Sequence, residues 1–207
     1  MYIFFPNRQV GFHSLKHLAI PLPNKTPAGL PRELIERNFL TLFRERIPFI
    51  NDVTRLQIIT VQGGNPFTIG QSTIVFPVAY FRQPRTTQKK ILVHELVHLH
   101  QRRYPALYAS YYQRLGFHKS KSADVLPAAL KAKLMYNPDG EHYEWIWRDR
   151  YLPVAVDHKT YLWDIRRQSL LPVNQVPDYV NAFGTKRQLY HPNEIVAHQI
   201  TDSLGLK

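Results

Sequence analysis

The chain has 207 residues, of which 44% are hydrophobic and 20% charged. That balance supports one folded core and excludes a disordered chain, while the absence of cysteine excludes a disulfide scaffold and a cysteine-based zinc site. The formal net charge of +12 favours anionic partners, but the basic residues are scattered through short clusters such as RQPRTTQKK, HKSKS and TKR, with no dense tract.

The opening MYIFFPNRQV is apolar for too few residues to form a signal h-region, and no later run approaches a membrane span. The expectation is a soluble chain, residues 1–207 forming one domain, intracellular or virion-associated and not exported by a classical signal. Residues 1–30 read as extended and turn-rich. PRELIERNFLTLFRERIPFI opens on Pro31 and places Leu34, Ile35, Phe39, Leu42 and Phe43 at helical spacing, so a helix with one buried face is expected, ended by Pro48. VTRLQIITVQGG and FTIGQSTIVFPVAYF are rich in β-branched residues and predict two strands, with Pro77 marking an edge or a bulge.

Thr86 or Thr87 is the expected N-cap of the next helix, which carries ILVHELVHLHQRRYP and is interrupted at Pro105. ALYASYYQRLG predicts a further helix ending at Gly116, and SADVLPAALKAKLMY a shorter one. NPDG is a turn. EHYEWIWR, YLPVAVD and TYLWDI predict strands. HPNEIVAHQITDSLG predicts a last helix with Pro192 in its first turn. The whole is an α+β fold: a small mixed sheet packed on the histidine-rich helix, with a C-terminal helical part.

The segment HELVH carries the chemistry. Residues four apart lie on one helix face, so His94 and His98 can present two imidazoles to one metal ion. Zinc takes nitrogen and oxygen donors about 2 Å away in a tetrahedron. Glu95 sits beside that face, where it reaches a water on the metal rather than the metal itself, the arrangement in which a carboxylate takes the proton of an activated water. Chance would produce H-E-x-x-H in about 2 of 100 chains of this composition. The apolar neighbours Ile91, Leu92, Val93, Leu96, Val97 and Leu99 make a functional origin stronger, because buried histidines and a buried glutamate are costly without partners. His100 faces away and reads as a surface or supporting residue. Gln101, three after His98, reads equally as a hydrogen-bonding neighbour of the site or as helix surface.

Two imidazoles do not complete a catalytic zinc site. A third histidine in the metzincin position is absent, since Gln101 and Tyr104 stand where that pattern needs Gly and His. The remaining candidates are Glu141, His142, Glu144, His191, Glu194 and His198. HPNEIVAHQ stands out: Glu194 opens an apolar helix, and Ala197, three residues on, allows close approach to the His94–His98 helix. Glu194 can equally be an acidic first-turn residue complementing the helix dipole. Tyr190, His191 and His142 are candidate donors to a transition-state oxyanion, with His191 preferred because it precedes that helix.

HELVH followed by E-x-x-A on a later helix resembles the gluzincins, zinc peptidases with a glutamate as third ligand. More narrowly, HELVHLHQ, NPD at 137–139 and HPNEIVA at 191–197 resemble the small zinc metallopeptidases of bacteria and large DNA viruses. The resemblance implies a zincin-like fold, zinc held by His94, His98 and Glu194, Glu95 as general base, and a peptide or protein substrate. It departs from many gluzincins at His198, where they carry an acid that orients a zinc histidine. Asp202, Asp139 or a backbone carbonyl would have to serve instead. An extended strand beside the active helix is expected to pair with substrate, STIVFPVAYF being the better candidate and the aromatic EHYEWIW the other. The alternative is the same fold used as a binding or structural protein associated with virions or nucleic acid.

The scattered charge leads to one prediction. Nucleic-acid binding should be weak, sequence-independent and lost near physiological salt, because no groove-reading helix or stacking platform accompanies the charge. Fluorescence anisotropy on a short labelled duplex across a salt series checks this; tight binding at physiological salt would refute it.

Overall fold

A computed structural model describes residues 57–120, 125–135, 137, 139, 143–185 and 188–204. The helix expected over residues 31–50 and the candidates Glu141 and His142 lie outside the described residues. Those that are described form an α+β body with two sheets and five α-helices.

VTRLQIITVQGG supplies β1 (Gln57–Val61). The run after it does not form one strand. It folds into a hairpin of β2 (Phe67–Ile69) and β3 (Thr73–Pro77), with Gly70 at φ +58° in the turn, a conformation that glycine adopts without steric cost. The strand order is β1-β3-β2, β3 being parallel to β1 and antiparallel to β2. Pro77 therefore ends a central strand instead of marking an edge. It stands at the last ladder position, opposite Val61, where the chain turns into a 3-10 helix at Val78–Arg82.

Helix α1 (Arg85–Arg103) follows. Pro84 occupies its N-cap position without a side-chain cap, so Thr86 and Thr87 lie inside the first turn. The start is fastened through Gln88. Its Nε2 donates to the carbonyls of Phe81 (3.3 Å) and Gln83 (2.8 Å), and its own carbonyl accepts from the Tyr80 hydroxyl (2.9 Å). Farther along, α1 is buried on nearly every side: Leu92, Val93, Leu96 and Val97 are inaccessible, and so nearly are Glu95, His98, His100 and Gln101. A helix buried on so many sides must be packed on several elements. It meets β2, β3 and two other helices.

Helix α2 (Pro105–Arg114) runs on after a break at Tyr104. Gly116 comes just after it at φ +89°, and a Cβ there would stand 3.2 Å from the Trp147 indole nitrogen, so both backbone and packing require glycine. The chain then builds an antiparallel meander of β4 (Phe117–Lys119), β5 (Trp145–Trp147), β6 (Tyr151–Val156), β7 (Lys159–Asp164) and β8 (Ser169–Pro172). Most of the described part of SADVLPAALKAKLMY is not helical: α3 is a single turn, Ala128–Lys131, and Leu134 bridges to Val156 instead. Strand β8 and helix α4 (Pro177–Phe183) were not expected; both are too short to carry a clear period. Helix α5 (Pro192–Ser203) closes the described chain.

One apolar cluster joins these parts. Val97 of α1, Tyr112 of α2, Trp147 of β5, Tyr179 of α4 and Ile195, Ala197 and Ile200 of α5 belong to it. On the other side of the meander, Ile146, Leu152, Val154 and Trp163 form a second cluster with Leu126. No helix among the described residues is long and apolar enough to cross a membrane.

Ala197 is 0% exposed, in the same cluster as Val97. A larger side chain there has no room without separating elements, so Ala197→Leu should cost about 1–3 kcal/mol of stability, the usual penalty for overpacking a filled core. Chemical denaturation measures it; a variant as stable as the parent would show that the helix contact is loose.

Candidate metal centre

The described elements bring together three donor atoms. His94 Nε2 and His98 Nε2 are 3.0 Å apart. Glu194 Oε2, one hundred residues from His94 in sequence, stands 3.1 Å from His94 Nε2 and 3.5 Å from His98 Nε2. Two of these donors come from one face of α1 and the third from the first turn of α5, where the helix dipole also favours a carboxylate. A tetrahedral zinc with bonds of 2.0–2.1 Å has donor–donor edges of about 3.3–3.4 Å. The three observed separations bracket that value, and two imidazoles with one carboxylate form the donor set of catalytic zinc sites that keep a position open. The residues therefore fit the ion. Among the described residues, these three form the cluster able to hold a metal.

The tautomer of His98 follows from its neighbours. Gln101 Nε2 donates to the carbonyl of Asn193 (2.9 Å), which turns Gln101 Oε1 toward His98. His98 Nδ1 is 2.8 Å from that oxygen and must carry the proton. In the neutral ring this leaves the Nε2 lone pair aimed at the cluster, the usual work of a partner behind a metal histidine. Gln101 is thus buried support and not helix surface. It does for His98 what Asp202, Asp139 or a backbone carbonyl was expected to do. His100 is not on the surface either: it is buried, with Nδ1 2.9 Å from the Tyr108 hydroxyl of α2.

Charges at the centre are tightly balanced. Burial works against an ionised Glu194, but His98 and His94 outweigh it and hold its carboxyl well below the usual range. Burial likewise works against a charged His98, yet the carboxylates of Asp139, Glu194 and Glu95 raise it to about 10. For Glu95, burial and the Asp139 carboxylate push the carboxyl well above its ordinary value. Its Oε2 is buried and meets no hydrogen-bond partner among the described residues.

A cavity of about 900 Å³ opens over the cluster. His94, Glu95, His98, Glu194 and Tyr190 line it, together with β2. The edge strand beside the centre is thus β2, whereas β3 of STIVFPVAYF is central. The outer side of β2 is already engaged: the Thr68 N–H donates to the Asp139 carboxylate (3.3 Å), and Arg102 Nη1 donates to the Gly70 carbonyl (3.4 Å). Of EHYEWIW, Trp145–Trp147 form β5, an interior strand of the other sheet.

The other candidates separate. The Nδ1 of His191 accepts from the Asn193 N–H (3.1 Å), so this imidazole caps α5, and it lines a different cavity of about 440 Å³. Glu144 lines that second cavity too and pairs with Lys119 Nζ at 2.6 Å. The His198 ring lies against His94, centroids 4.6 Å apart. Tyr190 remains beside the cluster. Its hydroxyl accepts from Asn137 Nδ2, and burial, reinforced by Glu194, raises its pKa, so it keeps its proton.

Sequence reasoning missed Asn137, Asn193 and Arg102. Asn193 ties three elements: its carbonyl to Gln101, its Oδ1 to the Tyr112 hydroxyl (2.6 Å) and its Nδ2 to the Asp139 carbonyl (2.8 Å). Arg102 pairs with Asp139 at 3.0 Å and with Thr68. The asparagines of NPD and HPN were visible as motif letters, but nothing local distinguished them from turn and cap residues. Arg102 was hidden in the basic run QRRY. Comparison of the chain with models of known protein families, with curated proteins and with solved structures finds no match.

The Gln101 contact is directly observable. The His98 Nδ1 proton should appear as a slowly exchanging, downfield imidazole N–H in nitrogen-resolved NMR and vanish in Gln101→Ala. An unchanged signal in that variant would assign the proton to another partner.

Proposed function

We propose that this chain is a zinc-dependent metallopeptidase with a zincin-like centre. The observation that carries the reading is the meeting of His94 Nε2, His98 Nε2 and Glu194 Oε2 at tetrahedral-edge distances, beside a buried glutamate whose Oε2 has no partner among the described residues. The H-E-x-x-H resemblance to gluzincins points the same way. A purely structural zinc site would not need such a glutamate.

His94, His98 and Glu194 would hold the ion. When bound, zinc supplies a Lewis acid for the scissile carbonyl and brings the pKa of a water to about 7. The chain's own groups do the rest. Glu95 takes a proton from the attacking water and returns it to the departing amine nitrogen. Gln101 keeps the His98 lone pair on the cluster. Tyr190 offers a hydroxyl proton to the oxyanion that develops on the carbonyl oxygen. The 900 Å³ cavity admits a peptide segment.

Purified protein should carry one zinc per chain. His94→Ala and Glu194→Ala should lose it, by elemental analysis after dialysis. Glu95→Gln should keep both zinc and fold but lose cleavage of a peptide library by at least ~100-fold, the lower range of general-base contributions. Equal turnover by Glu95→Gln and the parent would remove Glu95 from the chemistry. Full zinc retention in Glu194→Ala would remove the third ligand.

A further inference from the structure

We infer that Asn137 is a positioning residue for the metal centre: it occupies one oxygen of Glu194, so that this carboxylate approaches the metal through the other oxygen alone. The inference rests on the metal-site reading above and goes one shell beyond it.

The two oxygens of Glu194 have different partners. Oε2 faces both imidazoles. Oε1 accepts from Asn137 Nδ2 at 2.7 Å. The other hydrogen of that amide goes to the Tyr190 hydroxyl, and Asn137 Oδ1 accepts the N–H of Asp139 at 3.0 Å. With Oδ1 so engaged, the amide cannot flip without losing its bond to Glu194 and facing oxygen with oxygen.

The asparagine is itself held from three sides through Asp139. The Asp139 carboxylate meets Arg102 of α1 and Thr68 of β2, and its carbonyl meets Asn193 of α5. The elements that supply the ligands therefore also supply the anchors for the residue that orients one of them.

This arrangement matters because a carboxylate can give a metal one oxygen or two. Two would fill the coordination position that a catalytic site keeps open. A donor at 2.7 Å on Oε1 competes with that second bond, since it already engages a lone pair of this oxygen. Partners of this kind behind a ligand are commonly worth ~10–100-fold in metal affinity.

The test uses Co²⁺ bound to the full chain; its visible absorption is strongest in four-coordinate sites and weaker in five-coordinate ones. Parent protein should bind Co²⁺ with an intense band. Asn137→Ala should bind it ~10–100-fold more weakly in chelator competition, with the band reduced as the freed carboxylate turns both oxygens inward. Asn137→Asp keeps the size and the acceptor for the Asp139 N–H but puts an oxygen against Glu194 Oε1. It should lose affinity too, and being isosteric it carries the test where Asn137→Ala does not fold, as judged by circular dichroism. Parent-like affinity and spectrum in the folded variants would overturn the inference while leaving the metal site intact. Failure of the parent protein to bind Co²⁺, or equal binding by His94→Ala, would instead overturn the metal-site reading and this inference with it.

Discussion

A buried carboxylate must face buried imidazoles if α1 and α5 are to pack at all. Glu194 is 2% exposed and His98 1%. Either group alone in that interior would be an uncompensated charge or an unsatisfied ring, a loss of several kcal/mol. Together they satisfy one another, and the apolar contacts of Val97, Ile195 and Ala197 hold the helices at the separation this requires. The same contact that lets the helices close also brings three donor atoms to a common point.

Around this pair, the polar groups form a continuous network rather than isolated bonds. Gln101 joins His98 to Asn193. Asn193 joins α5 to Tyr112 of α2 and to the backbone of Asp139. Asp139 joins that loop to Arg102 and to β2. In a low-dielectric interior, a fully connected network of this kind is rigid and an interrupted one is costly. The edge strand β2 is part of it. Its Thr68 N–H is taken by Asp139, and the Gly70 carbonyl in the adjoining turn by Arg102, which blunts an edge that would otherwise invite pairing.

Glu95 stands apart from that network. Among the described residues its buried Oε2 meets no hydrogen-bond partner, and Glu95 lines the same cavity as the cluster. A buried polar group without a partner is an exception to the rule that such groups are hydrogen-bonded. His191, by contrast, accepts from the Asn193 N–H as the cap of α5 and lines the other cavity.

Much of the centre was legible in one helix. The i, i+4 spacing of His94 and His98 places two rings on one face whatever the rest of the chain does, because the helix repeat is local. The apolar flanks announced that this helix would be buried, and the small Ala197 beside Glu194 announced a close approach. The run 67–81 was misread as one strand because its β-branched residues continue across the Gly70 turn, and single-turn α3 because propensity over a few residues is a weak constraint. The sequence by itself therefore determined the helix, the pair of imidazoles and the acid beside them. Only the tertiary structure decided which distant carboxylate completes the cluster, which amides orient it and that Gln101 sets the tautomer of His98. Those choices depend on the packing of α5 and the 137–139 loop against α1, and contacts across one hundred residues leave no period in the chain from which to read them.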